Sequence, residues 1–454
     1  MYKAEKTKNK STIRSIITKK WFWVVFAAVI TTSQIMPQSL DSLISEAVRN
    51  NPRLKSLEYK TKSAEYRAES VNSLPAPTLG IEFGEIPFGK YNIINDAYSN
   101  SISLSQMFML GGKIGAMTEV EKKNALVQTD NYASYRVNLT GQIKMSYYNL
   151  WMVERKIEIQ KSTIELYKDL INNINVLYSI NRINQADVLT IRTEIASSET
   201  QLLNLQRERE AEVYKLNKLL GRELSSNTVY AEKEIKFDSL SYTQAELEEK
   251  LVEANPSLRQ MNSMVEMNKA MLKANEKDRI PDLMVQAMVM RQPQGMPLTT
   301  KSDISMLAMG MPGEPMSDYM YSIMASITLP FAPWSSNKYS AREEEIAAGI
   351  RGIEYEKSDM QREMAAGIRQ AFSKLKSSED LIKLYSGRVI PLYEEATRSQ
   401  VSAYQNGRTS ISTVIDSYRM QLMQKMNYYM AQADYQMAAA EIEMMIGKEL
   451  KKGE

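Results

Sequence analysis

The 454 residues are 43% hydrophobic and 24% charged, with a net charge of +3, no histidine and no cysteine. That composition removes disulfides, a lipid on cysteine, thiol nucleophiles, imidazole acid–base chemistry, Ser-His triads and the common zinc sites. The near-balanced charge, without an Arg-rich or RNP-type motif, gives no support to nucleic-acid binding.

The chain opens with Lys3, Lys6, Lys8, Lys10, Arg14, Lys19 and Lys20, followed by an apolar stretch from Trp21 to Ile30 and the small residues Thr31-Thr-Ser33. This is the layout of a secretory signal peptide over residues 1–33, with an apolar run too short for a helical span. The mature chain is expected to begin near Gln34. No later run of eighteen apolar residues exists, so an exported protein without a transmembrane helix is expected.

The rest is written twice. Tyr178 to Leu224 matches Tyr404 to Leu450 at one constant offset: Tyr178 falls on Tyr404, Arg182 on Arg408, Val188 on Val414, and Gly221-Arg-Glu-Leu224 on Gly447-Lys-Glu-Leu450. Asn51-Pro52 with Pro77, and Asn255-Pro256 with Pro281, share one internal spacing as well. The chain therefore reads as two structural repeats, 34–230 and 231–454, each with a helix, two strands and a long helical hairpin.

In the first repeat the period changes at Pro75-Ala-Pro77. Leu79, Ile81 and Phe83 alternate with Thr78, Gly80 and Glu82; Ile102 and Leu104 alternate with serines. In the second, Leu283, Val285, Ala287 and Val289 alternate, as do Tyr321, Ile323, Ala325, Ile327 and Leu329. Four strands of about nine residues are predicted, roughly the length that crosses a bilayer when tilted. After each pair comes a helix with heptad spacing, at Ile143, Leu150, Ile157, Ile164, Ile171 and Tyr178, and at Ile368, Leu375, Ile382, Val389, Ala396 and Ala403. Such helices are on the order of 100 Å long. Pro391 predicts a bend. Polar turns are expected at Ser179–Gln185 and Gln405–Ser412, then return helices stopping at Gly221 and Gly447.

Four strands cannot close a barrel, and an open edge in lipid leaves backbone groups unsatisfied. Other copies must complete the sheet. A trimer supplies twelve strands, and its long helices continue the barrel as a tube.

These features together resemble the TolC-like family of outer-membrane efflux channels. The resemblance rests on the duplicated Asn-Pro openings, Leu329-Pro-Phe-Ala-Pro-Trp334, Tyr404-Gln-Asn-Gly-Arg408 with Val414-Ile-Asp416, and the Gly-Arg-Glu-Leu and Gly-Lys-Glu-Leu helix ends. It implies an α+β membrane protein: a trimeric 12-stranded β-barrel in the outer membrane continued by a periplasmic α-helical barrel. It also implies a passive exit duct, joined through a periplasmic adaptor to an inner-membrane pump of the resistance-nodulation-division type that supplies the energy. No catalysis and no cofactor are expected.

The resemblance places a gate at the periplasmic helix turns. Carried over by position, Asp416 occupies the last acidic position of the inner turn, with Tyr404 and Arg408 on the approach, and Tyr178, Arg182 and Asp187 as the first-hairpin counterparts. Thr413 departs from the pattern, standing where close relatives of the founding member carry a second acid. The plain alternative for Asp416 is a solvated carboxylate favoured by the helix dipole.

Ten of the 30 methionines fall between Met284 and Met324. Thioethers are soft ligands suited to Cu(I), and Met306, Met309 and Met311 in the long connection between the last two strands are candidates to share one ion. Methionine is equally a packing residue, and in that reading those on the strands face lipid or a neighbouring chain. The Met-rich loop with Leu-Pro-Phe resembles the heavy-metal branch of the family, so Cu(I) or Ag(I) leads as cargo, with drug efflux or type I secretion as the alternative. A periplasmic adaptor or coiled-coil scaffold is a third reading, but it would not need four bilayer-length strands.

Overall fold

A computed structural model describes residues 39–84, 86, 88–89, 91–94, 97, 99–179, 183–226, 229–235, 242–291 and 319–450. The expected signal peptide (1–33), Arg182 and the loop methionines Met306, Met309 and Met311 lie outside the described residues.

The first repeat opens with α1 (Leu40–Asn50) and α2 (Pro52–Val71), continues through β1 (Thr78–Gly84) and β2 (Ser99–Phe108), and ends in α3 (Lys113–Ser179) and α4 (Gln185–Leu220). The second gives α5 (Gln244–Ala254), α6 (Pro256–Asp278), β3 (Leu283–Arg291), β4 (Tyr319–Ile327), α7 (Pro333–Leu384), a π-helical turn (Tyr385–Val389), α8 (Ile390–Gln405) and α9 (Ile411–Ile446). The 67 residues of α3 rise about 100 Å. Among the described residues no helix is long and apolar enough to cross a membrane.

The duplicated Asn-Pro pairs have a local cause. Asn51 caps α2, its side chain accepting the backbone N–H groups of Arg53 and Leu54; Asn255 does the same for α6 with Ser257 and Leu258. Proline follows at the first helical position, where its missing N–H costs nothing.

The strands form one antiparallel sheet in the order β1-β2-β3-β4, leaving β1 and β4 as edges. Leu79, Leu104, Ala287 and Ile323 make one cross-strand row, and Ile81, Ile102, Val289 and Tyr321 the next. These rows are bare: Leu79 is 66% exposed and Ile323 74%. A contiguous apolar surface of that kind marks a face meant for lipid or another chain. Strand lengths depart a little from the expectation. β1 has seven residues, and β4 stops at Ile327, leaving Leu329 outside it, because Pro330 brings no N–H to a ladder and restricts the residue before it.

The chain packs as two compact units, each drawing on both repeats. One takes the residues up to Ala47, Ile143–Phe237 and Ser377–Met437. Within it Trp151 is buried with its ring edge-on to Tyr429 at 5.7 Å, and the Arg222 guanidinium grips the Glu46 carboxylate through two hydrogen bonds. The other takes Val48–Gln142, Asp238–Lys376 and the residues from Ala438. In it the Asn255 side chain donates to the Met445 carbonyl at 2.5 Å, and the buried Lys113 pairs with Asp282 at 2.8 Å.

The heptad seam holds only in part. Ile143, Leu150, Ile157 and Ile164 are buried in α3, as are Ile368, Leu375 and Ile382 in α7, but Tyr178 and Ala396 are exposed. The π-helical turn explains the change in the second helix. Its i→i+5 bonding, ending with the Ile390 N–H on the Tyr385 carbonyl, adds one residue to the repeat. The buried positions beyond it are Thr397 and Tyr404, one later than Ala396 and Ala403. Pro391, lacking an N–H to give to an α-helical ladder, sits just past the inserted residue, so the bend it predicts takes the form of a π-helical turn.

Candidate functional site

The second hairpin turn, between α8 and α9, is closed by helix-end chemistry. α8 ends at Gln405, and Gly407 just beyond it has a φ of +70°, which suits a residue without Cβ. The Gly407 N–H returns to the Tyr404 carbonyl and the Arg408 N–H to that of Ala403, each at 2.9 Å, which is the Schellman pattern that satisfies the last helical carbonyls. α9 then starts under a serine cap. Ser410 accepts the Thr413 N–H at 3.3 Å and its hydroxyl lies 3.0 Å from that of Thr413. Thr413, where a second acid was looked for, is thus part of the cap.

Beneath the turns lies an apolar cluster of Tyr167, Ile174, Val188, Ile191, Tyr404, Ile411, Val414 and Ile415, drawn from α3, α4, α8 and α9. The repeat puts Val188 and Val414 at equivalent places, and both are buried. Tyr404 is 8% exposed, and its hydroxyl has no hydrogen-bond partner among the described residues. A buried hydroxyl left so costs about 1–3 kcal/mol. Burial, and secondarily the Asp187 carboxylate, raise its pKa above the ordinary tyrosine value.

Asp416 is exposed at the sixth residue of α9, beyond the first turn where the helix dipole acts. What holds it is a cation. Arg419 donates to the Asp416 carboxylate at 3.0 Å and to Glu194 of α4 at 2.7 Å, linking the two return helices. Exposed pairs of this type are worth about 0–1 kcal/mol each, so the triad matters for its charge distribution more than for stability. Tyr167 lies against it. Its pKa is pushed up to about 12, first by burial and then by Glu194.

Of the residues expected at the gate, the structure gathers Tyr404 into the cluster, sets Asp187 in the first turn of α4 and leaves Asp416 on the adjoining surface. Arg408 and Tyr178 are exposed and stand outside the cluster. Glu194, Arg419 and Tyr167 were missed. Only the three-residue spacing of Asp416 and Arg419 hinted at a pair, whereas the Glu194–Arg419 contact joins residues 225 positions apart. Among the described residues no group of three carboxylates could hold a metal ion.

Tyr167 supplies a pH test. A raised pKa means that the folded chain holds the phenolic proton more tightly than the unfolded chain. This contribution is complete below pH 10.0 and is lost as pH climbs toward about 12. Tyr167→Phe is therefore expected to flatten the loss of thermal stability between those pH values, as measured by circular dichroism melts. An unchanged pH profile would show that Tyr167 is solvated.

Comparison with known proteins gives a consistent picture. The family of outer membrane efflux proteins matches residues 43–222 and 247–448, one segment in each repeat. No curated protein sequence matches significantly. Among solved structures the chain is similar to the outer-membrane channel OprN, with a TM-score of 0.71 at 15% identity, covering 90% of this chain and 89% of that one. It is similar to CusC, with a TM-score of 0.69 at 17% identity over 91% and 93%, and to the outer membrane protein VceC of Vibrio cholerae, with 0.70 at 14% over 91% and 97%. The fold is thus the α+β fold of a TolC-like channel, and the scaffold reading falls away. Since the matched segments cover most of the sequence, the chain belongs to the outer membrane efflux protein family.

Proposed function

We propose that three copies of this chain form the passive exit duct of a tripartite efflux system, with the strands in the outer membrane and the long hairpins in the periplasm. The observation that carries it is the four-stranded sheet with bare apolar rows and two unpaired edges. In lipid, each unsatisfied backbone group on such an edge costs several kcal/mol. Pairing β4 of one copy with β1 of the next removes every edge, and three copies give the twelve strands of a closed barrel.

In this reading the hairpin ends are the periplasmic gate. Tyr404, buried in the cluster, is assigned to locking the hairpin ends in the closed state, Asp416 and Asp187 contribute the carboxylates of the constriction, and Arg419 with Glu194 holds adjacent helices of one copy together. Arg408, Arg182 and Tyr178 are assigned to contacts between hairpins. The energy and the choice of cargo come from a periplasmic adaptor and an inner-membrane pump. The cargo assigned is a soft metal cation, because 30 methionines with no histidine and no cysteine leave thioethers as the soft donors of this chain.

The test is biochemical. Full-length protein should stay with outer membranes after carbonate washing and, in detergent, should have the mass of a trimer. A stable monomer with undiminished β-sheet signal would contradict the closure argument.

A further inference from the structure

The strand register sorts the methionines. Met107 of β2, Met284, Met288 and Met290 of β3, and Met320 and Met324 of β4 all fall on one face of the sheet. The opposite face of the same four strands carries leucine, isoleucine, valine, alanine, phenylalanine and tyrosine, with Asn100, Gln106 and Arg291 as its polar members, and no methionine. The methionine face is otherwise small and polar, with Ser99, Ser101, Ser103, Ser105, Gln286 and Glu82. Were these methionines chosen for packing against lipid, they would share the apolar face. They do not.

Their order along the sheet is continuous. Met107 is directly opposite Met284 and Met290 directly opposite Met320. Met284 stands diagonal to Met324, Met324 to Met288, and Met288 to Met320. Direct neighbours in a sheet lie about 4.5–5.5 Å apart at Cβ and diagonal ones about 7–8 Å, within reach of long side chains. A zigzag of five thioethers thus runs along β3 and β4, and Met107 of β2 extends it to six. Met324 is 48% exposed and Met107 39%, and the Met290 sulfur accepts a hydrogen bond from the Ser99 hydroxyl at 3.1 Å, so its lone pairs already face a polar group.

We propose that these six methionines form a thioether track on the lumen face of the barrel that binds soft monovalent cations, Cu(I) or Ag(I), along the exit path. The lumen assignment rests on the duct reading, in which the apolar face meets lipid. Thioethers select soft ions and leave hard ones such as K⁺ unbound. A ladder of weak, equivalent sites lets an ion move from one pair to the next, as conduction through multiple sites requires. The loop candidates Met306, Met309 and Met311 are a separate set, and the track does not need them.

The experiment uses the full chain, purified in detergent and inserted in planar bilayers, with Ag(I) in nitrate buffer as probe. In wild type, added Ag(I) should reduce K⁺ current and titrate several sites per chain. Changing Met284, Met288, Met290, Met320 and Met324 together to leucine, a swap of similar volume, should weaken that block by about tenfold or more and leave K⁺ conductance intact. Changing Met306, Met309 and Met311 to leucine should leave the block unchanged. If the five-residue variant does not assemble, Met290→Leu with Met320→Leu decides, with a smaller loss of block expected. Equal Ag(I) block and binding in wild type and track variants would overturn the proposal while the duct stands. Wild-type trimers that never conduct K⁺ would overturn the duct, and the lumen track with it.

Discussion

Gly447→Val should prevent accumulation of the folded protein. Gly447 follows α9 at φ +78°, a conformation that a β-branched residue resists. A Cβ there would also lie 2.5 Å from Pro256 Cδ and 3.0 Å from Asn255 Cα, in the junction between α5 and α6. That junction cannot move aside cheaply, since Asn255 caps α6 with its side-chain oxygen and holds the Met445 carbonyl with its side-chain nitrogen. Backbone strain of about 1–3 kcal/mol and the displaced cap, about 1 kcal/mol more, together threaten a fold of ordinary margin. Gly349→Ala, in the interior of α7 with nothing within 4 Å of the added Cβ, should be neutral or stabilising by up to about 1 kcal/mol. Folded yield and melting temperature measure both. Wild-type yield from Gly447→Val would show that the Asn255 junction is loose.

Arg419→Glu should produce the largest functional change. Arg419 is the cation between Asp416 and Glu194, and reversing it sets three carboxylates together in each copy. Each exposed like-charge contact near 4 Å costs about 1 kcal/mol, and three symmetric copies bring the total to about 3 kcal/mol or more. That favours an open gate by about two orders of magnitude. Resting conductance in planar bilayers should rise several-fold while trimer mass is preserved. Asp416→Asn acts the other way on ions. It should keep the trimer and weaken cation selectivity and divalent block, because it removes the carboxylate ring proposed to concentrate cations at the entrance. Unchanged conductance in both variants would make the triad a solvated surface network.

Much of the fold was legible because its causes are local. The Asn-Pro signatures at Asn51 and Asn255 announce capped helices, Gly221 and Gly447 announce helix ends, and the alternation around Ile81 and Ile102 announces a half-exposed strand. The π-helical turn was not legible beyond the hint of Pro391, since inserting one residue shifts the seam from Ala396 to Thr397 without leaving a periodic trace. At the candidate site the family resemblance pointed to Tyr404 and Asp416 but not to their surroundings. Arg419 stands three residues from Asp416 on the same helix, a spacing open to reading, but Tyr167 and Glu194 come in through packing between distant helices, and no spacing rule reaches across 225 positions. The face chosen by the strand methionines was half legible: alternation separates Met320 from Tyr321, but only the register across β2, β3 and β4 shows that six thioethers share one face.

Closure of three copies into a gated duct is tested by single-channel recording on full-length protein in planar bilayers. Discrete, cation-selective pores are expected from trimeric protein, small at rest and enlarged by Arg419→Glu. Trimeric or monomeric protein that inserts into the bilayer without conducting, in both wild type and Arg419→Glu, would contradict it.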